Sequence, residues 1–496
     1  MMTYILAIDQ GTTSSRAIVY NQNKEAVFKA QRPLELSFPQ PGWVEVDADV
    51  IWQSVLAVIK EAISCPDIDP RQIKAIGITN QRETTVVWDK KTGNPVANAI
   101  VWQSRQTAEI CESIRRAGKE ELVRSKTGLP IDPYFSASKI RFILDSVAGA
   151  QAEAEEGDLL FGTIDTWLIW KLTNGSAHKT DYSNASRTML FNIVERKWDS
   201  ELLTLFNIPS KMLPEVHTSA GSFGLAQSDF LQEYPIPIKA VLGDQQAALF
   251  GQHCLEEGAA KATFGTGGFL LMNTGSKPVF SQEGLLTTIA WNLDGETVYA
   301  LEGSFFTAGS GVSWLIDSVR LLDDPRQADQ LAMSASADSK VFFVPALSGL
   351  GTPWWNDRVR GAFLGLTQGT GKAELTRAVL ESSVYQAQTI FSLMQAESEI
   401  GLKGIKVDGG MVKSDFLLSF LSDILNVQIN RPLDFEATAL GVSLLAGAEA
   451  KIWGYDSLTN EEGKIDKTFA PHMSEEERNG RINAWQRAIA AIISYY

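Results

Sequence analysis

The stretch that decides the fold is residues 4–20, which read YILAIDQGTTSSRAIVY. An apolar run at 4–8 is followed by small polar residues and then by a second apolar run at 17–20. Near-continuous apolar runs of this length are typical of strands that are covered on both faces. The segment therefore predicts a strand, a tight turn and a second strand, with Asp9 at the end of the first.

The turn at residues 9–15 has the composition of a phosphate-binding loop. Its small Thr and Ser side chains leave backbone N–H groups exposed to an anion. The carboxylate of Asp9 beside it can hold Mg²⁺ through the ion's own waters, because Mg²⁺ keeps several of them. On its own, however, the loop is interpreted equally well as a polar hairpin with an Asx turn.

The same pattern recurs in the second half of the chain. Apolar runs at 260–264 and 269–272 flank Gly265-Thr266-Gly267-Gly268, and this predicts a second hairpin. Strands at 239–242 and 405–407 run into acidic residues and then into helical periodicity. We expect an α/β protein of two similar domains, 1–252 and 253–496, packed around a cleft.

Two small-residue hairpins, one from each half, together suggest a nucleotide held between the halves. The alternative for residues 265–268 is a plain hairpin turn, where glycines are common. Asp408-Gly409-Gly410 leaves room for a flat ligand such as adenine against the backbone, although a βα loop kept small for packing is an equal alternative.

A third group has the residue types that recognise a polyol. A charged pair at a turn offers donors and an acceptor to hydroxyl groups, and aromatic rings cover a carbon backbone. The alternatives are a solvated surface turn for the pair, core packing for the aromatics and a helix N-cap for Asp244. The candidates are Arg82, Glu83, Trp102, Tyr134, Asp244, Gln245 and Phe269.

Composition excludes several classes of protein. The chain has 496 residues, which exceeds the about 250–300 residues at which single cores stop growing. With 44% hydrophobic and 21% charged residues it is not disordered, and its net charge of −15 argues against a nucleic-acid partner. The three cysteines have no CxxC spacing, and neither a basic leader nor a run of membrane-spanning length is visible. We expect a cytoplasmic protein without a membrane span.

Longer motifs carry a family resemblance. They include GITNQRETTVVW (77–88), VWQSRQTAEI (101–110), FGTGGFLLMNTG (264–275) and VDGGMVKSDFLLSFLSDIL (407–425). In this order they closely resemble the FGGY family of carbohydrate kinases, in particular its members that phosphorylate glycerol, and the resemblance runs nearly end to end, to about residue 447. It implies two ribonuclease-H/actin-like α/β domains flanking a central cleft, and conversion of ATP and glycerol to sn-glycerol 3-phosphate and ADP. A homo-oligomer, dimer or tetramer, is a further expectation.

The resemblance also implies roles for individual residues. Asp244 would accept the proton of the attacking hydroxyl, and Asp9 would hold Mg²⁺ through water. Glycerol would contact Arg82, Glu83, Trp102, Tyr134, Asp244, Gln245 and Phe269. ATP would contact Thr12, Thr13, Ser14, Arg16, Thr266, Gly309, Ser313, Gly410 and Ser414.

Five positions depart from the family pattern, and two of them are Phe142 and Ser146, where Trp and Asn or His are typical. Ser313 and Ser414 stand where Gln and Asn are usual, and their shorter side chains predict weaker or water-bridged adenosine contacts. Gly268 stands where a larger residue is frequent, which predicts a looser pocket wall beside Phe269. None of these departures removes a catalytic group.

Overall fold

The computed structural model describes residues 2–336, 338–433, 436–455, 458 and 465–496. The strands are β1 (Tyr4–Gln10), β2 (Ser14–Asn21), β3 (Ala26–Pro33), β4 (Glu45–Val46), β5 (Ile73–Asn80), β6 (Val86–Asp89), β7 (Ala99–Ile100), β8 (Leu159–Gly162), β9 (Lys179–Asp181), β10 (Phe191–Asn192), β11 (Lys197–Trp198), β12 (Glu215–His217), β13 (Ala220–Ala226), β14 (Ile236–Gly243), β15 (Ala259–Phe264), β16 (Gly268–Gly275), β17 (Leu286–Leu293), β18 (Glu296–Phe305), β19 (Phe342–Val344), β20 (Ala362–Leu364), β21 (Gly404–Asp408), β22 (Ile429–Pro432) and β23 (Ile465–Phe469).

The α-helices are α1 (Ala48–Ile63), α2 (Ala108–Arg116), α3 (Glu120–Thr127), α4 (Ser136–Ser146), α5 (Ala150–Glu156), α6 (Ile164–Leu172), α7 (Tyr182–Ala185), α8 (Ser200–Phe206), α9 (Asp244–Gly251), α10 (Gly309–Asp317), α11 (Gln327–Ser334), α12 (Lys372–Ser398), α13 (Asp415–Leu425), α14 (Ala437–Glu449) and α15 (Glu475–Tyr495). Short 3₁₀ helices cover Pro70–Gln72, Ser210–Met212, Asp229–Glu233 and Gly410–Lys413. No described helix combines the length and apolarity that a membrane crossing requires.

The first large sheet has the strand order β13-β14-β5-β1-β2-β3. Strands β1 and β2 are antiparallel, so the predicted strand, turn and strand are confirmed, with residues 11–13 as the turn. Strand β5 lies parallel to β1 on its other side, and β14 lies parallel to β5. Strand β1 is buried along its whole length, which explains its apolar run.

The second large sheet has the order β17-β18-β16-β15-β21-β22-β23. Its central strands β18-β16-β15 are antiparallel neighbours, and β21 and β22 continue from β15 in parallel. This repeats the order and direction of β3-β2-β1-β5-β14 in the first sheet. The α/β class is confirmed, and so is the predicted second hairpin at β15–β16.

Two helices cross between the sheets, and their backbones touch. Helix α9 follows β14 of the first sheet and contacts β15, β16 and β17 of the second, while α14 contacts β1, β5 and β14 of the first. A Cβ atom at Gly251 would lie 2.0 Å from the Ala437 carbonyl oxygen, and one at Gly441 would lie 1.9 Å from that of Ala247. Only glycine permits this crossing, which holds the first turn of α9 between the sheets.

Candidate active site

Arg82 lies in the loop after β5 and is almost fully buried. Its Nη1 donates to Oε2 of Glu302 at 2.6 Å, and its Nη2 donates to Oε1 of the same carboxylate at 3.0 Å. Its Nε lies 3.2 Å from Oδ1 of Asp244. A guanidinium without water is stable only when it is paired in this way, so Arg82 joins a strand of the second sheet to the first turn of α9.

Glu83 is held by a second buried arginine. Arg187 donates from Nε to Oε1 of Glu83 at 2.6 Å and from Nη2 to Oε1 of Glu302 at 3.0 Å. Burial by itself would raise the pKa of Glu302, but Arg187 and Arg82 lower it to about 2. Burial raises the pKa of Glu83, and Arg187 and then Arg82 oppose the rise. The two carboxylates and the two guanidinium groups form one buried network, which we call the charge cluster (Arg82, Glu83, Arg187 and Glu302).

Asp244 begins α9, but it is not the N-cap considered from the sequence. Gly243 occupies that position, and Asp244 accepts from the Gln245 backbone N–H at 2.7 Å. Its side chain is 30% exposed beside the buried charge cluster. Burial raises the pKa of Asp244, and Arg82 and then Lys261 oppose the rise. The carboxylate thus faces the cleft with one side free to accept a proton.

Three aromatic rings lie beside the charge cluster. The Trp102 ring centroid is 5.5 Å from that of Tyr134 and 6.0 Å from that of Phe269. The indole Nε1 of Trp102 donates to Oγ1 of Thr12 at 2.9 Å, which connects these rings to the first hairpin. Rings from both halves of the chain therefore meet at the site.

Two buried lysines donate hydrogen bonds to residues of this site. Lys139 donates to the backbone oxygens of Glu83, Tyr134 and Phe135, and burial lowers its pKa to about 7. Lys261 donates to Oε1 of Gln245 and, at 2.7 Å, to Oγ1 of Thr263. Lysine only donates hydrogen bonds, so Lys261 turns the amide nitrogen of Gln245 away from itself.

The first hairpin presents Asp9 and Arg16 on adjacent strands. Arg16 Nη1 lies 3.6 Å from Oδ2 of Asp9 and 3.2 Å from Oε2 of Glu436, at the start of α14. Burial raises the pKa of Asp9 to about 6, against Arg16, and the like charge of Asp244 adds to the rise. Thr13 is exposed at the tip, and Ser14 begins β2.

Asp9 is the carboxylate that would hold Mg²⁺ in this arrangement. The like charge of Asp244 makes Asp9 harder to ionise, and a divalent cation beside Asp9 would relieve this repulsion. Among the described residues, no group of three or more His, Cys, Asp or Glu side chains could hold a metal ion. The donor set fits an ion that keeps most of its waters, which is the habit of Mg²⁺.

The second hairpin supports the start of α10. The backbone N–H groups of Ala308 and Gly309 donate to the carbonyls of Thr266 and Gly265, each at 2.9 Å. Thr266 is exposed at the tip, and a Cβ on Gly309 would come within 2.7 Å of the Gly265 oxygen. Ser313 is exposed on the same helix. The second hairpin and the first turn of α10 thus form one surface.

The loop after β21 is open where the sequence predicts adenine. Gly409 has φ 94°, and a Cβ there would lie 2.4 Å from the Phe264 oxygen, whereas a Cβ on Gly410 would meet nothing within 4 Å. Ser414 is the N-cap of α13 and accepts from the Leu417 N–H at 3.0 Å. Its hydroxyl also donates to Asp329, so its single proton is already used.

The expectation that Gly268 loosens the pocket wall is wrong in its physical premise. Gly268 lies opposite Phe305 on the neighbouring strand, and a Cβ on it would lie 2.1 Å from the Phe305 ring. The ring fills the space that a larger residue at 268 would take. Glycine here therefore leaves no gap beside Phe269.

Sequence reasoning did not assign roles to four buried charges of this site. Each stands in an otherwise apolar or small-residue stretch, such as AAKATF around Lys261 and YALEGSFF around Glu302. A lone charge in a strand buried on both faces must find a partner of opposite sign or several acceptors. This signal could have identified Lys261 on β15 and Glu302 on β18, whereas Lys139 lies on α4 and Arg187 follows α7. The four are Lys139, Arg187, Lys261 and Glu302.

Comparison with known proteins places these features in a family. Residues 4–251 match the N-terminal domain of the FGGY family of carbohydrate kinases, and residues 260–450 match its C-terminal domain. The chain is 52% identical to a glycerol kinase of Geobacillus sp. (strain WCH70) over 495 residues, with 100% of both chains covered. It is 52% identical to a glycerol kinase of Bacillus subtilis (strain 168) over the same length and coverage.

Solved structures give the same result for the fold. The chain is similar to the crystal structure of Plasmodium falciparum glycerol kinase with ADP, with a TM-score of 0.93, 37% identity, and coverage of 99% of this chain and 98% of that one. A ligand-bound xylulose kinase from Lactobacillus acidophilus matches with a TM-score of 0.87 over 99% of this chain and 97% of that one. Its identity is 22%, so this likeness concerns the fold alone.

Proposed function

Because the chain belongs to the FGGY family of carbohydrate kinases, we propose that it transfers the γ-phosphoryl group of ATP to glycerol. The products are sn-glycerol 3-phosphate and ADP. Relatives more than 50% identical over the full length bear the name glycerol kinase, and this supports glycerol among the carbohydrates that the family phosphorylates.

The observation that carries the proposal is the meeting of the charge cluster with the aromatic rings. On one side, Arg82 and Asp244 lie 3.2 Å apart and offer a donor and an acceptor to hydroxyl groups. On the other, Trp102 is within 5.5 Å of Tyr134 and 6.0 Å of Phe269, measured between ring centroids. A short polyol presents hydroxyls to the first side and C–H groups to the second.

We assign the two domains, 1–252 and 253–496, to polyol and nucleotide respectively. The first contributes Arg82, Glu83, Trp102, Tyr134 and Asp244 to the polyol side. Its hairpin and that of the second domain would face the phosphates with their exposed tips, Thr13 and Thr266. Gly410 and the surface of α10 would take the adenosine, with Ser414 limited by its bond to Asp329.

Positioning and neutralisation of charge would do most of the work, since the transition state of phosphoryl transfer is loose. Asp244 accepts the proton of the attacking hydroxyl as the phosphoryl group moves, which requires only hydrogen-bond reach and an ionised carboxylate. Arg82 orients the neighbouring hydroxyl. Mg²⁺ held near Asp9 would supply charge neutralisation on the phosphates, and closure of the cleft would keep water from competing as the acceptor.

The test is an assay of ADP release with and without glycerol, combined with detection of glycerol 3-phosphate. We expect ADP release to rise strongly with glycerol and the phosphorylated product to appear in a 1:1 ratio to ADP. A scaffold ATPase of the actin type would instead hydrolyse ATP at a rate that is indifferent to glycerol. That result would remove the proposed function.

A substrate panel tests the choice of polyol. kcat/KM is compared for glycerol, erythritol, dihydroxyacetone and xylulose under the same MgATP concentration. A clear preference for a four- or five-carbon substrate would overturn glycerol while leaving the family assignment intact. Light scattering on the same preparation measures the dimer or tetramer that the family resemblance implies, and fractionation of source cells tests the cytoplasmic location.

A further inference from the structure

Glu302 belongs to the second sheet but binds residues of the first half. It lies on β18, its side chain is fully buried, and it accepts hydrogen bonds from Arg82 and Arg187. Both arginines belong to the part of the chain that precedes α9. A single carboxylate thus joins the nucleotide half to the loop that carries the polyol contacts.

The donors of Arg82 show what Glu302 does. A guanidinium has five N–H groups in a fixed fork, and both Nη atoms of Arg82 donate to Glu302, at 2.6 and 3.0 Å. Nη1 also reaches Oε1 of Gln246 at 3.3 Å. The shortest approach of Arg82 to Asp244 is from Nε, at 3.2 Å from Oδ1. Arginine can form a bidentate pair with a carboxylate. Arg82 therefore forms this pair with Glu302 and not with Asp244.

We propose that Glu302 is a positioning residue for phosphoryl transfer, which holds Arg82 by both Nη atoms and so keeps Asp244 free to accept the substrate proton. The inference rests on the proposed function, since it assigns that proton to Asp244. Without Glu302, Arg82 would turn its fork toward the nearest remaining carboxylates, Asp244 and Glu83. A base held in a full ion pair is weaker and is no longer aimed at the substrate.

The charges around Asp244 agree with this role. Burial raises the pKa of Asp244, Arg82 and then Lys261 lower it, and Glu302 adds to the rise. Asp9 also faces this carboxylate, since the like charge of Asp244 raises the pKa of Asp9. Arg82 comes from the β5 loop and Lys261 from β15. Glu302 comes from β18 and Asp9 from β1. Loss of the Glu302 charge would remove one contribution that raises the pKa of Asp244 while Arg82 and Lys261 remain, so the pKa of Asp244 would fall.

The experiment compares Glu302→Gln, Glu302→Asp and the parent protein across pH at saturating MgATP. For Glu302→Gln we expect kcat to fall about 10²-fold, the size of effect that follows misplacement of a reacting group by about 1 Å. We also expect the acid limb of the kcat/KM profile for glycerol to move to lower pH by about 1 unit, because an opposing negative charge is lost. Glu302→Asp shortens the side chain, so we expect its kcat to fall. It keeps the negative charge, so we expect its acid limb to stay in place.

A matched control is Glu381→Gln, on α12. Glu381 is also buried and bonded to an arginine, with Arg377 Nε at 2.6 Å from its Oε1, but it lies outside the charge cluster. We expect this variant to keep the parental acid limb even if its stability falls. Circular dichroism of each protein reports whether it is folded.

Three results would overturn the inference. The first is a folded Glu302→Gln protein with kcat within twofold of the parent, and the second is a lower kcat with an unmoved acid limb, which indicates a purely structural role. If Glu302→Gln does not fold, the Glu302→Asp variant provides the test. A parental kcat in that variant is the third result that would overturn the inference. An inactive parent would instead remove the proposed function, and a parent active on another polyol is profiled with that polyol.

Discussion

The two sheets place equivalent loops at the cleft and fill them with opposite kinds of residue. After β5 the loop carries Arg82 and Glu83, both nearly fully buried, and Glu83 adopts φ 60°, which non-glycine residues rarely do. After β21 the loop is Gly409-Gly410, with φ 94° at Gly409 and open space at Gly410. Strand order decides where a ligand can lie, and the loop residues decide which chemistry meets it.

The hairpins, by contrast, are alike in both halves. Thr13 and Thr266 are exposed at the tips, and the carbonyl of each accepts an N–H from a segment outside its hairpin, from Leu34 at 2.8 Å and from Ala308 at 2.9 Å. Both hairpins are expected to face phosphate groups. The halves are therefore similar where we expect both to contact phosphate, and they differ where we expect polyol and adenosine.

The largest expected effect comes from removing the proton acceptor on the polyol side. Asp244→Asn keeps the size of the side chain, and Gly243, not Asp244, caps the helix, so the variant should fold. We expect kcat to fall by about 10²–10⁴-fold, the usual contribution of a general base. Steady-state kinetics with circular dichroism checks this, and a folded variant with kcat within a few-fold of the parent would exclude Asp244 as the base.

Asp9→Asn is the control for that variant. Asp9 lies on the hairpin side, where we expect loss of charge to weaken the use of Mg²⁺ and not the proton transfer. Titration of kcat with Mg²⁺ should therefore rescue Asp9→Asn in part and leave Asp244→Asn unchanged. Equal rescue of both variants would mean that the two carboxylates share one role.

On the nucleotide side, the strongest effect should follow Gly409→Ala. A left-handed conformation and a Cβ that would lie 2.4 Å from the Phe264 oxygen both oppose the substitution. We expect the free energy of unfolding to fall by about 3 kcal/mol, since strain of this kind costs about 1–3 kcal/mol before the overlap is added. Urea unfolding measures it, with Gly410→Ala as the matched neighbour, and equal stabilities would contradict the structure.

The sequence was sufficient for the parts of the molecule that are determined locally. The two hairpins and the strand at 404–408 follow from apolar runs and small polar residues, and the structure has them. The resemblance of the longer motifs also indicated the family. These features depend on neighbours in the chain, which periodicity reports directly.

The rest required the three-dimensional structure because it depends on distant partners. Strand β6 follows the Arg82 loop but pairs with β8, in a register from Val86 with Gly162 to Asp89 with Leu159, and not with β5. Glu302 meets Arg82 across 220 residues. The Phe305 ring that replaces a side chain at Gly268 comes from another strand. No spacing rule reports such contacts, although a lone charge in an apolar strand indicates that one must exist.

A smaller effect concerns the stability of the first half at acidic pH. His178 is packed against Trp88 and Trp170, and burial lowers its pKa from 6.5 to about 4. Between these values the unfolded chain binds the proton and the folded chain does not, so stability falls as the pH falls. From pH 7 to pH 5 this amounts to about 2 kcal/mol.

His178→Gln keeps a donor for the Phe161 carbonyl, which lies 2.8 Å from Nε2 of His178, but it does not titrate. We expect the parent to lose about 2 kcal/mol more than this variant between pH 7 and pH 5. Urea unfolding at the two pH values measures the difference. If parent and variant lose the same amount, the acid sensitivity of the first half has another source.

The smallest effect concerns the loop after β21, where the structure leaves open space at Gly410. Gly410 is exposed, and a Cβ on it would meet nothing within 4 Å, so Gly410→Ala should leave the free energy of unfolding unchanged. If adenosine lies in that space, the added methyl group should raise KM for ATP several-fold and leave KM for glycerol as it is. Gly401→Ala is the control, since a Cβ at Gly401 is equally unobstructed but lies before β21. A Gly410→Ala protein with parental KM for ATP would mean that the adenine ring lies elsewhere in the cleft. A rise in KM for glycerol alone would reverse the roles that we assign to the two halves.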